Sequence, residues 1–166
     1  MTSGSSSGQG RPNQRRAAAG YRSGMDDLVH AEITVDAPPE QVWRTLTEPD
    51  LIRRYMADAQ VTTTWEEGTP ITWDGEWAGK PFRDNGTVLA VDEPRLLTVT
   101  HYSPLSGKPD TPENHHVVTY ELTGTGGSTL LSVRQENNDS PEMAAESSRT
   151  WQTLLQGVKD VTESRP

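Results

Sequence analysis

Residues 36–56 read DAPPEQVWRTLTEPDLIRRYM, and the way this stretch folds decides how the rest of the chain is read. Pro38 and Pro39 suit the first turn of a helix, where a missing N–H has no intrahelical partner to lose. Val42, Trp43 and Leu46 then share one face of a short helix. Thr47, with Asp50 three residues on, matches a capping box that opens a second short helix, with Leu51, Ile52 and Tyr55 facing inward. The expectation is an elbow of two abutting helices that closes one end of a curved sheet around a pocket.

On the N-terminal side, LVHAEITV (28–35) alternates, with Val29, Ala31, Ile33 and Val35 on one face, as in a half-buried strand. On the C-terminal side the chain reads as a run of strands separated by turn residues. AQVTTTW alternates through Val61, Thr63 and Trp65; ITWDGEW places Ile71, Trp73 and Trp77 together. GTVLAV precedes a turn at DEP, and RLLTVTHY carries Leu97, Val99 and His101 on one face. After the Pro/Gly-rich loop SPLSGKPDTPEN, long enough to suggest function or mobility, HHVVTYEL alternates through His116, Val118, Tyr120 and Leu122. GTGGS then turns into TLLSVRQ with Thr129, Leu131, Val133 and Gln135, a direct hairpin. Ser140 and Pro141 open a final helix, whose stripe runs through Met143, Ala144, Ser147, Trp151, Leu154, Leu155, Val158 and Val161. Its first half is small (Ala144, Ser147, Ser148), which leaves space against a sheet.

Composition narrows the function classes. At 166 residues with 31% hydrophobic content, the chain supports one modest core. Residues 1–24 are low-complexity and Gly/Ser-rich, so they read as a disordered tail, with the folded domain at 25–166 and Met25 as an alternative start. That tail holds Arg11, Arg15, Arg16 and Arg22 and no acid; since the whole chain carries −9, the remainder carries −13. An acidic body repels phosphate backbones and argues against nucleic acid as a partner. Without cysteine there are no disulfides, thiolate metal sites or cysteine nucleophiles. No apolar run suffices for membrane insertion, and the missing signal-peptide core makes the cytoplasm the expected location.

A strand, two short helices, a run of antiparallel strands and one long C-terminal helix make the α+β helix-grip layout. The segments VDAPPEQVWRTLTEPDLIRRY, VDEPRLLTVTH, TYELTGTGGSTLLSVRQ and TWQTLLQGVKDV carry a further match. Together they resemble the heat-shock-protein-90 ATPase activator homologue family of the START/SRPBCC superfamily, over about residues 28–163. The chain departs at Tyr55–Met56, where the family often has tryptophan, and at His101, where an aromatic is common. The resemblance implies a curved antiparallel sheet gripping a long helix, with a cavity between them for an apolar or aromatic small molecule. It implies no fixed catalytic set and no cofactor, and it leaves polyketide cyclase- or hydrolase-like chemistry and a stress-response chaperone contact as alternatives.

Five polar residues fall at inward strand positions: Thr63, His101, His116, Thr129 and Gln135. A buried polar group without a partner costs about 1–3 kcal/mol. Such a set therefore bonds internally, sits at strand ends, or lines a wet or liganded cavity. The histidines, with Tyr102 and Tyr120, are candidates for acid–base work or for satisfied core positions, but no HExxH spacing, Ser-His-Asp arrangement, P-loop or dinucleotide fingerprint is present. Trp65, Trp73 and Trp77 form either an aromatic wall or ordinary sheet contacts. The expected function is non-enzymatic binding of a small hydrophobic or aromatic molecule. The ligand-binding set is Trp73, His101, His116, Tyr120, Gln135, Ser147 and Trp151, with no metal. A homodimer or a chaperone is the expected protein partner.

Overall fold

The computed structural model describes residues 28–164; the expectations for the tail and for Met25 fall outside them. Strand β1 (Val29–Val35) leads into helix α1 (Pro39–Thr47) and helix α2 (Pro49–Tyr55). Strands β2 (Gln60–Thr62), β3 (Pro70–Trp77), β4 (Lys80–Asp92), β5 (Leu96–His101), β6 (His116–Thr125) and β7 (Ser128–Glu136) follow, and helix α3 (Pro141–Glu163) closes the chain. The strands form one antiparallel sheet in the order β1-β7-β6-β5-β4-β3-β2. A register shift between Val88 and Ala90 marks a β-bulge, the device that bends a sheet. This is the expected curved helix-grip architecture.

Alternation places the core where the period requires it. Val29, Ala31 and Val35 of β1 are buried beside Leu131 and Val133 of β7, with Leu155 and Val158 of α3 in the same cluster. Ser140 caps α3 by accepting from the Met143 N–H at 3.1 Å. Met143 itself is 49% exposed: the buried stripe begins one residue later, at Ala144, so the expected inward position of Met143 is wrong.

The elbow holds by a different cap from the expected one. Thr47 ends α1 and donates to the Trp43 carbonyl at 2.9 Å, while Glu48 serves as both the C-cap of α1 and the N-cap of α2, with no side-chain cap bond. Pro49 at the first helical position starts α2 without one. The last carbonyls of a helix lack intrahelical donors, and here aromatic side chains supply them. The Tyr55 hydroxyl donates to the Thr45 carbonyl at 2.9 Å and the Trp65 indole N–H to the Thr47 carbonyl at 3.0 Å. Trp65 reaches that carbonyl because its backbone is left-handed (φ 62°), so β2 stops at Thr62 and the expected alternation through Trp65 fails. Thr63 accepts from the Trp65 backbone N–H at 3.2 Å. Gly157 completes the junction, since a Cβ there would lie 2.7 Å from Tyr55 Cβ, so glycine lets α3 touch α2.

Thr129, fully buried, donates to the Ala37 carbonyl at 2.7 Å and ties β7 to the start of the elbow. Thr129→Val should leave that carbonyl unmet and cost about 1–3 kcal/mol, read as a lower denaturant midpoint at unchanged slope.

Candidate functional site

Between the sheet and the first half of α3 lies a cavity of about 300 Å³. The small residue Ser147 and the aromatic residue Trp151 line it from α3; Trp73, His101, Tyr120 and Gln135 line it from β3, β5, β6 and β7. Met56 and Ala59, just past the elbow, line it as well. Six of the seven residues singled out from sequence thus meet at one space. The seventh, His116, lines a neighbouring polar cavity of about 110 Å³ with Lys108, Asn137 and Asp139, and Ser147 borders both.

Edge-to-face ring contacts order the walls. Trp73 meets His101 with centroids 5.0 Å apart at 73°, and Tyr120 meets Trp151 at 5.8 Å and 77°. His116 stacks on His101 at 6.2 Å and 14°. Trp65 instead borders a separate space of about 20 Å³ that Trp73 and Tyr120 share, and the Trp77 side chain lies outside the described set. Trp65 and Trp73 thus meet at that smaller space, while of the two only Trp73 lines the larger cavity.

Polar groups in the walls are mostly spoken for. Gln135 accepts from the Trp151 indole N–H at 2.9 Å and donates to Asn138 at 2.6 Å, so its carboxamide fixes the Trp151 ring. His101 Nε2 donates to Asp84 Oδ2 at 2.8 Å. Asp84 Oδ1 is buried and has no hydrogen-bond partner. Asp84 and Phe82, both cavity-lining, were not singled out from sequence. Their signal was the alternation of Phe82, Asp84, Gly86 and Val88 after a two-residue turn at Ala78–Gly79, where both φ angles are positive.

Burial sets the protonation states. It pushes the Tyr120 phenol well up, and Tyr55 likewise, so both keep their protons at neutral pH. Tyr102 lies away from the cavity, stacked on His115 and donating to the Lys108 carbonyl at 2.5 Å. Burial, and then the neighbouring His101, hold His116 below its ordinary 6.5, which keeps it neutral. Between that lowered value and 6.5 the unfolded chain binds the proton and the folded one does not, so stability rises with pH across the window. Acidification from pH 7 through 6.5 should therefore destabilise the fold, with a slope from this group of at most about 1.4 kcal/mol per pH unit. His116→Phe should flatten that part of a stability–pH curve measured by urea melts. Among the described residues no group of three or more His, Asp or Glu side chains converges as a metal site, and no helix is long and apolar enough to cross a membrane.

Residues 36–163 match the family described as Activator of Hsp90 ATPase homolog 1-like protein. The chain belongs to that family. No curated protein matches it. ChR145 from Cytophaga hutchinsonii, solved in solution, is 38% identical, with a TM-score of 0.75 over 86% of this chain and 97% of that one. DynU16, from the dynemicin biosynthetic locus, has a TM-score of 0.70 at 17% identity, over 82% of this chain and 47% of that one. The Aha1 dimer from Colwellia psychrerythraea has a TM-score of 0.65 at 16% identity, over 82% and 96%. At such identities the last two show a shared fold. Within this Aha1-like frame, His101 on β5 faces the cavity.

Proposed function

We propose that this Aha1-like domain binds a small, mostly apolar or aromatic molecule between α3 and the sheet. The carrying observation is the aromatic-walled space of about 300 Å³ left by the small residues of α3, at the lower end of ligand-sized pockets. Affinity would come mainly from apolar burial at about 25 cal/mol per Å². Trp73, Tyr120 and Trp151 supply flat walls, and Gln135 holds Trp151 in place. His101 supplies polarity, while His116 backs it from the adjoining cavity. The biosynthetic setting of DynU16 supports a small-molecule role for the fold. Native mass spectrometry of protein purified from its own organism, with a denatured-extract control, should show a co-purifying compound of defined mass. Protein recovered only at its own mass, and silent toward aromatic probes, would count against the reading.

A second reading, turnover in the same cavity, is favoured by the Asp84–His101 hydrogen bond, since a carboxylate-oriented imidazole suits general acid–base work. A pH–rate profile lost in His101→Phe supports it; no turnover across an aromatic polyketide panel removes it. For macromolecular partners, the likeness to the Aha1 dimer supports a second copy of this chain, tested by light scattering over a concentration series. The family description supports a chaperone contact, tested by pull-down. A cytoplasmic setting belongs to the same proposal and is tested by cell fractionation.

A further inference from the structure

The guest's chemistry is written in one wall of the cavity. Asp84 lies on β4, lines the cavity and is only 14% exposed in its side chain. A carboxylate offers about four acceptor sites, yet one donor, His101 Nε2, reaches it, and Oδ1 is buried with no partner. An acceptor left in this condition is costly in an apolar surround. The cavity lining includes the apolar Phe82, Val99 and Val118 and the donor-bearing Trp73, Tyr120 and Gln135, and none of these brings a donor to Oδ1. The carboxylate torsion is broad, so a small rotation turns Oδ1 toward the cavity while Oδ2 stays within reach of His101.

We infer that Asp84 is the polar anchor of the cavity, and that the guest is an aromatic or apolar body bearing a hydrogen-bond donor, a hydroxyl or an amine, and not a carboxylate. The inference rests on the cavity reading and adds the sign of the ligand's polar end. A donor placed on Asp84 meets its unused acceptor capacity and gains a charge-assisted bond. A fatty acid or aromatic acid would set like charge against like in a partly dry site and is rejected. His101 is the positioning residue: its bond to Oδ2 fixes the carboxylate, and Trp73 holds the imidazole from the side.

A ladder of four naphthalene probes tests this, with dissociation constants from amide chemical-shift titrations at pH 7: naphthalene, 2-naphthol, 2-(aminomethyl)naphthalene and 2-naphthoate. The wild-type protein should bind 2-naphthol or the amine about ten-fold or more tighter than naphthalene, and naphthoate the weakest. Which of the two donors binds tighter tells hydroxyl from ammonium recognition. Asp84→Asn keeps the shape and an acceptor for His101 but turns an N–H₂ toward the guest, so the donor preference should vanish and naphthoate should gain. If wild-type protein binds naphthalene as well as 2-naphthol, or prefers naphthoate, the anchor is wrong while the cavity reading stands. If no probe shifts resonances of the cavity residues, both fall.

Discussion

Ser147→Trp should lower affinity for 2-naphthol by about 100-fold or more while the far-UV spectrum and melting temperature stay close to wild type. Ser147 lies one turn before Trp151 on α3 and borders both cavities, so an indole there occupies the guest's volume. Trp and Ser have similar intrinsic helix propensity, and the site is half-buried beside empty space rather than inside a filled core, so the fold has room for the ring. Ser147→Ala is the matched control, expected to bind like wild type. Titration of both variants against one probe measures the effect; wild-type affinity in the tryptophan variant would place the guest elsewhere.

Gly86→Val should be the most damaging single change to the fold. A Cβ on residue 86 would stand 1.8 Å from the Thr100 carbonyl oxygen and 2.6 Å from its carbon. Both are backbone atoms of β5, so no side-chain rotation relieves the clash, and β4 and β5 must separate. That separation breaks the Thr87 N–H bond to Thr100 Oγ1 at 2.9 Å and the paired Asn85–Tyr102 backbone bonds at 3.0 and 2.8 Å. Overpacking alone costs about 1–3 kcal/mol, and the three lost bonds about 1 kcal/mol each, so a loss of about 4–6 kcal/mol is expected. For a chain of this length that corresponds to a fall of about 8–24 °C in melting temperature. Asp84 lies two residues away on the same strand, so probe binding should fail together with stability. A thermal melt followed by circular dichroism reads the first effect, and the naphthol titration the second.

The elements were legible where a local period carries the information. The strand at Val29–Val35, the Gly126–Gly127 hairpin and the stripe on α3 each repeat at the interval their geometry demands, and these same periods placed Trp73, His101, Tyr120, Gln135 and Trp151 on inward faces. Errors arose where a long-range partner overrode the local pattern. Trp65 leaves its alternation to donate to the end of α1. Glu48 displaces Thr47 as the cap because Pro49 starts α2 without help.

What the sequence by itself determined is the architecture and the inward residue set, because side-chain direction follows from periods of 2 and 3.6 within a single segment. Only tertiary structure decided what those residues do to one another. Asp84 and His101 are seventeen positions apart, and their meeting depends on the register of β4 with β5 beyond a bulge, which no local pattern encodes. The gap beside Ser147 likewise depends on where α3 lies over the sheet, and its seat on α2, where Gly157 meets Tyr55, joins residues about a hundred positions apart.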